Sequence, residues 1–101
     1  MVLFCMFDLP TQTFDNRKNY RLFRKFLLQE GFIMLEESVY CRMIPNGNAM
    51  RCLVENVRKN RPPDGIVLLL KVTEHQFAQM EFIVGEFHSD VVQSTVPVIE
   101  I

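Results

Sequence analysis

The sequence predicts an α+β domain, on three observations. Two short apolar runs, one starting at Val2 and one at Gly65, have the composition of strands rather than the spacing of helices. Two segments between them repeat their apolar residues at helical spacing. The stretch joining those segments is rich in β-branched and aromatic residues and reads as extended.

The first run places Val2, Phe4, Met6 and Asp8 on one side and Leu3, Cys5, Phe7 and Leu9 on the other. Both sides are apolar until the last residues, which predicts a central strand. Thr13 to Asn16 then offers several helix caps, and helical spacing runs on to Gly31, placed to end the helix in a left-handed turn. Tyr20, Phe23, Phe26 and Leu27 share the face that should pack on the sheet. FIMLEESVYCRMI follows, with Glu36-Glu37 in its middle. Those acids fit either the turn of a hairpin or the exposed edge of one long strand, and periodicity does not decide between them.

Pro45 to Asn48 is a turn. The second helix carries Ala49, Met50, Leu53 and Val57 on one face and Arg51, Glu55 and Arg58 opposite, and closes on Arg58-Lys59-Asn60-Arg61. Pro62-Pro63-Asp64-Gly65 turns the chain into GIVLLLKV, read as a buried strand. Thr73 to Gln76 matches a capping box and predicts a short helical turn through Phe77. Glu81 to Val84 reads as a strand, Gly85 to Thr95 as loop, and VPVIEI as an edge strand suited to pair with another chain. A four-stranded ferredoxin-like layer is the simplest arrangement for this order. The expected division is a domain over residues 1–85 and a C-terminal extension over 86–101.

Composition narrows the function. A hydrophobic content of 49% supplies a core for one folded unit. No apolar run approaches the roughly 20 residues of a membrane span, and Asp8 interrupts the first run too early for an export signal, so a cytoplasmic protein is expected. Cys5, Cys41 and Cys52 lie in apolar patterns without metal spacing and are expected to be buried free thiols. His75 and His88 lack partners at zinc-ligand spacing. There is no phosphate-cradling glycine loop and no serine elbow. The formal charge of -1 gives no overall attraction to a polyanion, so any such attraction must be local.

That local feature is a row on the first helix. Arg17, Lys18, Arg21, Arg24 and Lys25 fall within about 120° of the helix, opposite Phe23 and Phe26, with acids only at Asp15 and Glu30. One reading is an ordinary solvated face; the other is a row of phosphate contacts blind to base sequence. Arg58, Lys59 and Arg61 are candidates to extend it, and Tyr40 is a candidate to stack a base, its alternative being a packed strand tyrosine with the hydroxyl outward. Asp8 is the candidate for chemistry. A carboxylate ending an apolar strand either caps the next turn, through the Thr11 or Thr13 backbone, or serves a cation. A single acid is a poor site for a hydrolytic metal, whereas a two-fold dimer would supply a second Asp8.

MFDLPT at residues 6–11, RKNYRLFRKFLLQEGFIM at 17–34, SVY at 38–40 and LLLKVTEHQFAQM at 68–80 together resemble the small CRISPR-associated family "Cas two", in the form that accompanies type II systems. The resemblance implies a βαββαβ ferredoxin-like fold with an antiparallel four-stranded sheet and an additional C-terminal edge strand. It implies a hairpin at Glu36-Glu37 and a homodimer that brings Asp8 beside its symmetry mate as metal ligand and catalytic residue for Mg²⁺ or another divalent cation. The implied activity is metal-dependent endonuclease action on DNA or RNA, and the implied role is spacer acquisition, with the dimer bridging copies of the CRISPR integrase "Cas one". Many members carry Gln where this chain has Glu36; a carboxylate cannot donate a hydrogen bond, so the hairpin should be held differently. The alternative function is a generic ferredoxin-like regulatory or toxin-like ribonuclease domain.

Overall fold

Seven elements follow one another along residues 1–86, the part of the chain described by this computed structural model. They are β1 (Val2–Asp8), α1 (Phe14–Gln29), β2 (Ile33–Glu36), β3 (Val39–Met43), α2 (Gly47–Lys59), β4 (Ile66–Val72) and the short α3 (Glu74–Ala78). The strands form one sheet in the order β2-β3-β1-β4, with every neighbouring pair antiparallel. This is the ferredoxin-like α+β arrangement, and β1 is a central strand as its two apolar faces require. The VPVIEI segment and its expected edge strand lie outside the described residues.

Local chemistry fixes the boundaries. Of the caps on offer before α1, Thr13 is the one used. Its side chain accepts from Asn16 N at 3.0 Å while Asn16 Oδ1 accepts from Thr13 N at 3.2 Å. The helix ends at Glu30, and Gly31 adopts φ +89°, the left-handed conformation a glycine tolerates. Asn46 caps α2 by accepting from Ala49 N at 2.9 Å. Thr73 and Gln76 form the expected capping box of α3.

The extended stretch after Gly31 is a hairpin, with Glu37 and Ser38 at its turn. Glu36 holds that turn as an acceptor. Its Oε2 receives Ser38 Oγ at 2.9 Å and Ser38 N at 3.2 Å.

The two faces of the sheet have different covers. On the inner face Leu3, Cys5, Phe7 and Leu9 pack with Phe23 and Leu27 of α1 and Met50, Leu53 and Val57 of α2. Phe7 is central there, edge-on to Phe23 at 5.3 Å and stacked on Tyr40 at 5.5 Å. On the outer face a smaller cluster of Val2, Leu35, Cys41 and Phe77 is joined by Phe4, Met80 and Phe82. The Met1 ammonium group, 2.8 Å from Glu74 Oε1, ties α3 to the start of β1.

Three expectations fail, each for a physical reason. GIVLLLKV forms β4, but among the described residues β4 is an edge strand with one face uncovered: Ile66, Leu68 and Leu70 are 58%, 56% and 50% exposed, while Val67 and Leu69 turn to the helices. Glu81 to Val84 is not a strand. Met80 and Phe82 cross the outer face, where the sheet offers no backbone partners, and Ile83 and Val84 project into solvent. Cys52 is exposed, because it lies on the side of α2 away from Met50 and Leu53; Cys5 and Cys41 are buried as expected, and burial pushes both thiols up to about 12.

Candidate nucleic-acid interface and carboxylate site

Asp8 is the last residue of β1 and pairs in register with Ile66 of β4. Strand alternation carries it onto the outer face with Val2, Phe4 and Met6. It is exposed, and among the described residues its carboxylate forms no hydrogen bond or ion pair. The capping reading of Asp8 therefore fails: Thr13 caps the helix with its own hydroxyl.

What holds Asp8 in place is a glycine. Gly65 has φ +88°, and a Cβ there would lie 2.6 Å from the Asp8 carbonyl oxygen and 2.8 Å from Leu9 Cδ2. The chain enters β4 flush against the Asp8 backbone only because residue 65 has no side chain. Its signal in the sequence is the PPDG turn directly before an apolar run, which marks the turn but not the close approach.

No three His, Cys, Asp or Glu side chains gather into a metal-binding group among the described residues. At this end of β1 the chain presents the Asp8 carboxylate without a hydrogen bond or ion pair among the described residues. Two such carboxylates, with water and substrate phosphate as further ligands, would suit the oxygen preference of Mg²⁺, so Asp8 together with a second copy of itself is a donor set that fits a divalent cation. The uncovered row beside Asp8 is apolar. Along β4 the outward residues Ile66, Leu68 and Leu70 pair with Asp8, Met6 and Phe4.

All five cations of α1 are exposed, and none forms an ion pair among the described residues. Arg17 is engaged differently from the rest: its Nη1 donates to the carbonyl oxygens of Thr11 and Gln12, both at 3.2 Å, and so fastens the loop between β1 and α1. Glu30, one of the two flanking acids, accepts from Asn56 Nδ2 of α2 at 3.2 Å. Lys18, Arg21, Arg24 and Lys25 remain free of acidic partners. The suggested extension is weaker. Arg58 pairs with Glu55 at 2.7 Å, and Arg61 donates to the Arg58 carbonyl, which leaves Lys59.

The cations and the carboxylate do not meet within one chain. α1 packs its Phe23 and Leu27 side on the inner face, with Arg24 near the Tyr40 hydroxyl at the border of that side and the rest of the cationic row turned away from the sheet, whereas Asp8 lies on the outer face. Tyr40 is no base platform: it is fully buried, and its hydroxyl has no hydrogen-bond partner. Burial raises its pKa, and the nearby Arg24 guanidinium opposes that shift.

The chain is thus a small ferredoxin-like α+β domain that ends its first strand on an exposed carboxylate and carries a cationic row on its first helix. Residues 1–80 match the family described as CRISPR associated protein Cas2. The chain is 46% identical over 86 residues to a Treponema denticola protein named CRISPR-associated endoribonuclease Cas2, covering 85% of each chain. Relatives of the same name from Streptococcus mutans and Lacticaseibacillus rhamnosus are 45% and 42% identical, covering 93% and 90% of this chain and 86% and 90% of their own. The chain belongs to the Cas2 family. Membership places the chain in this family rather than among generic ferredoxin-like regulatory or toxin-like ribonuclease domains.

Proposed function

We propose that this protein acts in CRISPR adaptation as a homodimeric, divalent-metal-dependent endonuclease whose active centre is formed by Asp8 from each of two protomers. The observation that carries this reading is the Asp8 carboxylate, exposed and without a partner among the described residues, at the end of an apolar row of Ile66, Leu68 and Leu70 that those residues leave uncovered. Apolar surface of this kind favours burial against a second copy, and two-fold pairing of the outer faces would bring like carboxylates toward one axis. Two carboxylates in proximity repel unless a cation lies between them. Mg²⁺ or another divalent cation held there supplies Lewis acidity toward a phosphodiester.

The protein's own groups divide the remaining work. Gly65 and the β1–β4 register fix the Asp8 backbone. Lys18, Arg21, Arg24 and Lys25 bind backbone phosphates of DNA or RNA, and Arg17 holds the loop that joins them to the carboxylate strand. The substrate named for the relatives, RNA, is the first to test.

A second reading is architectural: the dimer bridges copies of the integrase "Cas one" and supports the DNA to be inserted. It is favoured by one observation, the separation of the cationic row from Asp8 onto opposite sides of the sheet, which suits holding a duplex away from the carboxylates. Both activities belong in the cytoplasm, and no helix among the described residues is long and apolar enough to cross a membrane.

Asp8→Asn tests the enzymatic reading. It keeps the size and removes the charge, so cation-dependent cleavage by the purified dimer should fall by at least about 100-fold. Undiminished cleavage would reject the assignment of Asp8. Loss of cleavage with spacer acquisition intact in cells would make the architectural role the biological one.

A further inference from the structure

Phe14 is the first residue of α1, directly after the Thr13 cap, and it is 68% exposed. Every other aromatic ring among the described residues is buried or half-buried. Its position matters more than its exposure. At about 100° per residue Phe14 lies within about 20° of Arg21 on the helix surface, inside the row of Arg17, Lys18, Arg21, Arg24 and Lys25. Lys18 is one turn further along and Arg21 two turns. The ring makes no aromatic contact among the described residues. Its backbone is well fixed, by the Thr13–Asn16 capping box and by the Arg17 hydrogen bonds to Thr11 and Gln12.

A flat apolar ring on a fixed helical turn, followed along the same face by unpaired cations, matches the chemistry of a nucleotide strand with an exposed base. We infer that Phe14 is a stacking platform for an unpaired nucleobase, with the adjoining phosphates on Lys18 and Arg21. The cations alone bind any phosphate backbone; the ring adds a contact that a paired and stacked base cannot make. The ligand class is therefore single-stranded nucleic acid, RNA or DNA, or the single-stranded end of a duplex. This rests on the proposal that the α1 cations contact phosphates.

The test uses the full chain in chelator, with single-stranded RNA and single-stranded DNA of about a dozen nucleotides and a blunt DNA duplex of the same sequence. Phe14→Ala and Phe14→Leu should each weaken binding to a single strand by about 10-fold, with an unchanged salt slope, and leave duplex binding within about two-fold. The RNA and DNA arms decide which strand is bound. The protein has no tryptophan, so Phe14→Trp provides a single indole reporter. It should retain wild-type affinity, and its emission should be quenched by a single strand but not by the duplex. Circular dichroism of each variant checks that the fold is kept. Wild-type affinity of Phe14→Ala for both strands, full affinity of Phe14→Leu, or an indole emission indifferent to the strand would overturn the inference. If Lys18→Glu with Arg21→Glu still weakens binding in that event, only the stacking role is lost; if that pair also has no effect, the phosphate-contact reading falls with it.

Discussion

Tyr40 combines a well-packed ring with an unsatisfied hydroxyl. The ring stacks on Phe7 in the middle of the inner core, yet among the described residues the buried hydroxyl has no partner in good hydrogen-bond geometry, although the Arg24 guanidinium lies near enough to act on it. A buried hydroxyl without a hydrogen bond has lost its hydration for nothing in return. Tyr40→Phe should therefore stabilise the fold, by up to ~1 kcal/mol, seen as a higher denaturant midpoint with an unchanged slope. A loss of stability would mean that the hydroxyl has a partner in solution, with the Arg24 guanidinium as the nearest donor. Gly65 is the opposite case. Gly65→Ala must both place a side chain at positive φ and push its Cβ against the Asp8 carbonyl and Leu9, backbone atoms included. A cost of ~2 kcal/mol or more is expected in chemical denaturation, along with reduced cleavage, because the displaced strand end carries Asp8. An unchanged midpoint would show that the β4 entry relaxes freely.

At the scale of elements, the hairpin between β2 and β3 rests on Glu36, whose carboxylate accepts two hydrogen bonds from Ser38. The Ser38 hydroxyl, then its amide, favours the charged form and holds the Glu36 carboxyl below the usual glutamate range. A depressed carboxylate pKa means that the bonds are intact at neutral pH and are lost as pH falls through the depressed value. The Ser38 amide resonance should report a transition at lower pH than an ordinary glutamate gives, and Glu36→Gln, which keeps an acceptor oxygen, should abolish that transition while preserving the turn. Helix α1 carries a separate expectation. Lys18→Glu, Arg21→Glu and Lys25→Glu should each weaken binding of nucleic acid regardless of sequence and lower the salt slope by roughly one ion or more. Arg17→Glu should in addition loosen the β1–α1 loop, since Arg17 is held by Thr11 and Gln12.

Much of this organisation was legible in the sequence because local rules govern it. The periodicity of α1 and α2, the Thr13 and Thr73 caps and the left-handed Gly31 depend on neighbours only a few residues away. What escaped depends on which of several compatible partners a residue takes up in the folded chain. The hairpin could not be separated from one long strand, because Glu36 is compatible with both until Ser38 folds back on it. Tyr40 and Phe14 are both aromatic residues near cations in sequence, and only the packing of α1 against Phe7 sends one inward and leaves the other in solvent. Gly65 gave a turn signal, but its proximity to Asp8 joins residues far apart in the chain.

For the whole molecule, the proposed pairing of two copies would reconcile the reading of β4 as a buried strand with the exposure of its outer face among the described residues. An apolar run records that a surface is removed from water; it does not record whether the cover comes from the same chain or from another. α3, Met80 and Phe82 cover part of the outer face, and the stretch facing Met6 and Asp8 is left to Ile66 and Leu68. Full burial of such side chains gains roughly 1.5–3 kcal/mol each, enough for a few of them to drive pairing of two copies. Leu68→Asp places a charge in the middle of that row, and since Leu68 is solvent-exposed in one protomer the fold itself should be spared. Wild-type protein should elute with light-scattering mass twice the 11.9 kDa of the chain, and Leu68→Asp at the mass of one chain with its helical signal intact. The same variant should lose cation-dependent cleavage although Asp8 is untouched, because one protomer offers a single carboxylate. A Leu68→Asp protein that remains dimeric would mean that the copies meet elsewhere, and a single-chain protein that still cleaves would mean that one Asp8 suffices.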